Sequence, residues 1–447
     1  VQQILRSLRA DGRLQEIYLE PLPAEEIEKL VAGQFPQADS AALGRGSGGN
    51  PLLALELARA GQEGGSSLAE LVEDRMGRFG EEARSVVQWA AVLTPRINLH
   101  HLERVTNLPL ATIDEAMQQA EEQGVLHPGE RGMRFAHELI RKSVYDSISP
   151  ARRRAMHRRV AELLEKDASV DLDKAVDLSH HARRSEDPYM AAKAMVSAGK
   201  LCLRFYANDD AIALYREGMA FATQLSEAQR VCLSLELGEI RMNAEQVEDW
   251  QGLVEEFVAL AEQAMDHGSR AHARLGYQMA SYLRWIHGEM RGAKRFSMQA
   301  ERLSRGASDE AQILGLAEAA KCLALLDRDL SRAEAMIMEA NSLAQRVGYE
   351  CPAIPTTLGI LRYHGDQFEE AVDHLEDARA MAKASGDRLT EYMANEYLTI
   401  VEMERRDCAA AREYANSLVD IGARIREGSE RPFAESLQAV CHFGLSG

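Results

Sequence analysis

Six positions spaced about forty residues apart, five of them alanine, constrain this chain more than any other feature. They are Ala211, Leu253 (after Gly252), Ala293, Ala333, Ala371 and Ala411, giving steps of 42, 40, 40, 38 and 40. Five follow a polar turn, as in Asp209-Asp210-Ala211, Arg291-Gly292-Ala293, Ser331-Arg332-Ala333, Glu369-Glu370-Ala371 and Ala409-Ala410-Ala411. Trp250-Gln251-Gly252-Leu253 is a weaker sixth. Each opens a segment with helical periodicity. A period of this size marks an array of helical hairpins. One hairpin cannot bury its apolar stripe alone, so neighbours must stack into a solenoid. Alanine at the crossing point lets paired helices approach closely. The step exceeds the usual tetratricopeptide length of about 34, so longer helices are expected. The array occupies residues 167–447.

The composition agrees with a mainly α chain. Of 447 residues, 46% are hydrophobic and only 6% aromatic, and 12 prolines leave room for long helices. The net charge of −18 repels nucleic acid and anionic lipid as a whole. Any DNA contact then needs a local basic patch or a further domain. Six scattered cysteines form no C-x-x-C pair and fit a reducing cytoplasm. No stretch of about 18 apolar residues signals a membrane span, and the first residues lack a signal-peptide core. Val1 at the start, and a last stretch that stops within a helical pattern, lead us to expect a longer parent protein.

Residues 67–166 read differently. Helical patterns near 68–78, 81–93, 98–106 and 110–122 precede Val125–Pro128 and Met133–Ala136, two extended segments around a Gly129–Gly132 turn. Helices follow at 137–147 and 151–165. Helices followed by a small hairpin make a winged-helix pattern. Residues 1–66 begin with a short apolar run, Leu14 to Leu19, read as a buried strand. A helix opening at Pro23, a glycine-rich loop from Gly44 to Pro51, a helix at 52–60 and a linker at 61–67 come next.

Searches for catalytic chemistry exclude more than they find. The Gly44–Gly49 loop leading into a helix has the look of an anion cradle, yet the Walker A pattern G-x-x-x-x-G-K-[ST] is absent. His137-Glu138-Leu139-Ile140-Arg141 has arginine where a zinc hydrolase needs its second histidine. His100-His101 and His180-His181 lack a third ligand at suitable spacing, so no metal is expected. No G-x-S-x-G elbow occurs. Arg152, Arg153, Arg154, Arg158 and Arg159, with His157, form one basic cluster. It faces DNA phosphates, forms a solvated helix face or pairs with acidic neighbours.

Three stretches together resemble the STAND signalling ATPases, as in large ATP-binding LuxR-type regulators and cyclase- or kinase-linked ATPase modules of bacteria. They are Leu14 to Pro23, Gly48-Gly49-Asn50-Pro51 with the following Leu52 to Leu57, and Met133 to Tyr145 with Arg152 to His157. The resemblance implies that residues 1–66 end an AAA-type nucleotide-binding module, with its last strand and helical lid. A winged-helix domain at 67–166 and a tetratricopeptide-like α-solenoid would then follow. It implies that Pro51 packs near an adenine, that Gly49 and Asn50 shape that turn, and that His137 reaches the β-phosphate of ADP. ATP or ADP is thus the implied cofactor. The Walker lysine and acid would lie upstream, so this chain alone is not expected to hydrolyse ATP. The implied partners are a protein or small-molecule effector on the repeats, further copies of the parent protein, and DNA through a missing domain or the winged helix. The implied role is the sensor arm of a nucleotide-switched regulator of transcription. A cyclase- or kinase-linked arm, or a non-enzymatic tetratricopeptide scaffold, are the alternatives.

Overall fold

The computed structural model describes residues 21–47, 49, 51, 54–55, 57–58, 68–93, 97–129, 132–136, 138–166 and 172–443. The chain divides into two compact units, Val1–Met156 and His157–Gly447. The boundaries expected near 66 and 166 both adjoin residues outside the described set.

In the first unit, Ala24–Gln34 (α1) and Ser40–Gly46 (α2) pack on each other. Ile27 and Val31, four apart on one helical face, are buried with Ala54 and Ala58. Asp39 caps α2 by accepting from the Ala42 amide at 3.0 Å. The strand expected at Leu14–Leu19 lies outside the described residues.

Leu68–Gly77 (α3), Glu81–Leu93 (α4), Leu99–Thr106 (α5) and Leu110–Glu122 (α6) follow the four expected helical patterns closely. The central helix α4 is apolar on nearly every side from Val86 to Leu93, and that stretch is buried throughout. Leu126–Gly129 (β1) and Gly132–Phe135 (β2) form the expected antiparallel hairpin, with Leu126 opposite Phe135 and Gly129 opposite Gly132. Glu138–Ser147 (α7) and Pro150–Lys166 (α8) come next.

The second unit is an array of helical hairpins. Leu172–Arg184 (α9) leads into six pairs. These are Pro188–Arg204 (α10) with Asn208–Ala222 (α11), Glu227–Ala244 (α12) with Trp250–Asp266 (α13), and Arg270–Ile286 (α14) with Met290–Ser304 (α15). Asp309–Leu325 (α16) pairs with Leu330–Val347 (α17), Ala353–His364 (α18) with Phe368–Ser385 (α19), and Arg388–Arg405 (α20) with Cys408–Gly422 (α21). A 3-10 turn, Ile425–Gly428, and a last helix, Arg431–Phe443 (α22), follow. Most of the paired helices run 15 to 18 residues, which accounts for the long period.

Each periodic small residue sits at the fourth position of the second helix of a hairpin. Ala211, Ala293, Ala333, Ala371 and Ala411 have no exposed surface, and Leu253 has 3%. In each, the amide donates to the residue four back, at 2.9 to 3.2 Å. The turn before it also repeats. Tyr206, Gly288, Asp366 and Arg406, each five residues ahead of its alanine, all adopt left-handed backbone. The turn geometry and the close crossing together fix the period.

A second column of small residues runs through the array, with no sequence pattern to mark it. Gly276 on α14 faces the preceding second helix. A Cβ there would lie 2.9 Å from both Ala261 Cβ and the Phe257 oxygen. Gly238 lies against the Phe257 ring in the same way. Phe257 is among the largest fully buried side chains, and burial on that scale contributes about 1.5–3 kcal/mol.

Candidate functional site

Two of the four expected nucleotide contacts are described. Gly49 is buried at φ +79, and its oxygen accepts the Leu22 amide at 2.9 Å. A Cβ there would fall 2.5 Å from Pro21 Cβ and 2.7 Å from the Leu22 oxygen. Glycine is required because the backbone of residues 21–22 passes against it. Pro51 opens a helical turn and its ring is exposed. Asn50 and His137 lie outside the described residues. Next to His137, Glu138 holds Arg141 through both carboxylate oxygens, at 2.8 Å to Nε. Arg141 also donates to the Ala91 oxygen at 3.3 Å, tying α7 to α4. The Glu138 hydrogen bond holds the guanidinium above its ordinary pKa.

The basic cluster is partly neutralised. Arg153 pairs with Asp146 at 3.5 Å and lies over the Tyr145 ring at 5.1 Å. Arg158 pairs with Glu162 and Asp187, both at 3.3 Å. Arg152 is exposed, with no ion pair among the described contacts.

His157 belongs to a different grouping from the one its sequence position suggested. Its Nδ1 lies 2.8 Å from His181 Nδ1, joining α8 to α9, and both rings are buried. His180 stands beside them, at ring separations of 6.0 and 5.1 Å. No third histidine lies near His180-His181 in sequence, and the fold brings His157 beside them. Among the described residues no group of three histidine, cysteine or acidic side chains is arranged to hold a metal ion.

The array presents the most extensive polar feature. The first helices of successive hairpins, α10, α12, α14, α16, α18 and α20, pack side by side, whereas the second helices make little contact with one another. The first helices therefore line the tighter, inner face of the array. An alternating row of charge runs along them. Lys200 pairs with Glu239 at 2.8 Å and Lys321 with Glu318 at 2.8 Å. Arg274 stands between and feels both Glu239 and Glu318. Burial would lower the ammonium groups of Lys200 and Lys321, but their glutamates prevail and hold both above the ordinary value. Arg274 has no such close carboxylate, and burial pulls its pKa down. Its Nε is buried with no hydrogen-bond partner in the protein. Glu236 bridges to His272 at 2.8 Å, and Tyr349 donates to Glu310 at 3.3 Å. Such groups, half-removed from water, interact more strongly than the same charges on an open surface. The row offers donors and acceptors in turn to a polar molecule or an extended peptide.

On the same face, burial with Glu430 nearby pushes the Glu396 carboxyl up to about 7. Tyr392, one turn earlier, donates from its hydroxyl to the Glu430 oxygen at 3.1 Å. The C-terminal segment also crosses here. Arg426 is 4% exposed, and its guanidinium lies 5.1 Å from the centre of the Tyr282 ring on α14 while donating to the hydroxyl. The Asn208 amide donates to the Arg424 oxygen at 2.8 Å. The Tyr206 ring takes the guanidinium of Arg388 at 4.8 Å and that of Arg424 at 5.4 Å. The end of the first hairpin thus meets the last one, and no local sequence pattern marked these residues.

No helix among the described residues is long and apolar enough to cross a membrane. No family model matches the chain, and no curated protein matches it. Among solved structures, the chain is similar to a Signal Transduction ATPase with Numerous Domains (STAND) protein with a tetratricopeptide repeat sensor from Pyrococcus horikoshii. The match has a TM-score of 0.63 and 14% identity, and it covers 97% of this chain and 65% of that one. A Rap protein complexed with Competence and Sporulation Factor matches at a TM-score of 0.41 and 11% identity, over 85% of this chain and 99% of that one; this likeness is too low to bear on the fold. The chain therefore has a mainly helical fold, ending in a tetratricopeptide-like array, like that of a STAND protein, and spans about two thirds of that protein's length.

Proposed function

We propose that this chain is the sensor arm of a nucleotide-switched signalling ATPase. The repeat array binds an effector, a protein segment or a small molecule. Binding changes how the preceding domains hold ADP or ATP. The observation that carries this reading is the fold likeness to a STAND protein with a tetratricopeptide sensor over 97% of the chain. The half-buried charged row on the inner face adds a surface suited to recognition.

On this reading residues 67–166 are a winged-helix domain, and residues 1–66 complete a nucleotide-binding module. The exposed ring of Pro51 suits stacking on a flat base. Gly49 shapes the turn before it, since its own oxygen and Cα are committed to residues 21–22. Asn50 and His137 complete the set by family resemblance. Bound ATP would supply the energy of the switch; these residues only position the base and sense the phosphate. The output domain is a DNA-binding regulator, with a cyclase or kinase as the alternative. Driving such a switch from 1:99 to 99:1 takes about 5.5 kcal/mol of differential binding.

Nucleotide titration of the full-length protein tests this. ADP is expected to bind, His137→Ala to loosen it about tenfold, and ATP to change the assembly state seen by size-exclusion chromatography. If neither nucleotide changes conformation or assembly, a non-enzymatic scaffold replaces the switch.

A further inference from the structure

Part of the inner face of the array is covered by the chain itself. After α21 the backbone turns through Ile425–Gly428 and packs on α11 and α12, in the first two hairpins. From there Arg426 reaches Tyr282 in the third hairpin. Ile425 is buried with Tyr392, Leu418 and Ile421. The segment therefore spans the groove between early and late hairpins.

Its fit is incomplete in three ways. Arg426 Nε and Ser429 Oγ are buried without a hydrogen-bond partner in the protein, a condition that native structures seldom tolerate. Arg426 holds a left-handed backbone at φ +43, disfavoured for a side chain of its size. Glu430 pairs with Arg426 at 3.5 Å but also lies within electrostatic reach of Glu396, a like charge. A segment buried at Ile425 and Arg426, yet strained, only partly bonded and within reach of a like charge, is poised for exchange.

We propose that residues 424–430 are an internal plug of the sensing groove, and that the effector is a protein segment presenting an arginine to Tyr282 in the plug's place. The partner chemistry is read from the present occupant. A guanidinium lies on the Tyr282 ring and donates to its hydroxyl, with an aliphatic side chain beside it. This deepens the sensor reading and rests on it for the assignment of the groove as the effector site.

The probe is a fluorescent peptide with the sequence of residues 420–434, added to the wild-type chain and to its Arg426→Ala variant. The variant, its own plug loosened, is expected to bind the peptide at least ten times more tightly than wild type. Replacing the peptide's second arginine, the one matching Arg426, with alanine is expected to abolish binding. Equal affinity for both chains, or indifference to that arginine, overturns the proposal. Should Arg426→Ala not fold, Tyr282→Phe serves. Hydrogen exchange is then expected to accelerate together at 424–430 and 204–208, and unchanged exchange at both overturns the plug. Peptide exchange without any nucleotide response in the full-length protein would leave the plug standing and sink the sensor reading.

Discussion

Arg388 donates from Nε and Nη2 to the main-chain oxygen of Arg204, at 3.1 and 2.8 Å, across 184 residues of sequence. The same guanidinium covers Tyr206 and pairs with Glu391 at 2.6 Å. Substituting Arg388 with alanine removes all three interactions from one seam. A loss of about 2 kcal/mol is expected, since hydrogen bonds to charged groups contribute roughly 1.5–3 kcal/mol. Arg388→Lys keeps the charge but not the planar fork and should recover only part of it. Thermal melting of the two variants beside wild type checks the order. A melting point unchanged in Arg388→Ala would show that the seam contributes nothing.

Glu396 gives the array a pH dependence of definite sign. Its carboxyl is held at about 7 in the fold, against an ordinary value of 4.5. A raised carboxyl pKa means that the protonated form is favoured in the fold. Its contribution is fully present below pH 4.5 and is lost as pH rises through 7. Glu396→Gln, neutral at every pH, should therefore raise the melting temperature at pH 8 and leave it nearly unchanged at pH 4.5. One pKa unit corresponds to about 1.4 kcal/mol, so the gain at pH 8 is at most about 3 kcal/mol. Calorimetry at the two pH values decides; equal shifts at both would remove Glu396 from the account.

The column of close helix crossings can be tested at Gly276. A methyl group there meets Ala261, the Phe257 oxygen and Leu235 Cδ2 at 2.9 to 3.0 Å. Alanine would gain about 1 kcal/mol in a free helix, but overpacking costs about 1–3 kcal/mol. Gly276→Ala is expected to destabilise on balance, and Gly276→Val to do so more. A stabilised alanine variant, seen as a higher urea midpoint, would mean that the two helices separate without cost.

Arg406 offers the opposite experiment. It is exposed and adopts left-handed backbone at φ +63 in the turn before Ala411. Gly288 holds the corresponding place in the third hairpin. Asparagine tolerates this conformation better than arginine. Arg406→Asn should stabilise by about 0.5–1 kcal/mol, measured as slower hydrogen exchange across the last hairpin. Faster exchange would contradict the turn assignment.

Five of the six hairpins were legible because a close buried crossing favours a small side chain, and that demand repeats at fixed distance from each turn; Leu253 keeps only the spacing. The Leu126–Phe135 hairpin was legible because glycines bracket its turn. Gly276 is not legible in the sequence because it stands mid-helix, with no polar turn beside it to mark its place. Tyr206, Arg388, Arg424 and Arg426 were invisible for another reason. They are ordinary surface residue types, and only the curvature of the array brings them together. His157 was grouped with its arginine neighbours by position, while its partner His181 stands 24 residues away on the next helix. At the candidate nucleotide contacts, the sequence located the glycine-rich turn. The reason for Gly49, the passage of Pro21 and Leu22 against it, needed coordinates.

The seam between Arg204 and Arg388 also bears on how such a chain changes over generations. Open solenoids lengthen or shorten by whole units, because each unit touches only its neighbours. Here the first hairpin must meet the last, so adding or losing one forty-residue unit would carry Tyr206 out of reach of Arg388 and Arg424 together. The number of repeats between those residues is thus set by a contact, and inserting or deleting a whole unit in this stretch would break it.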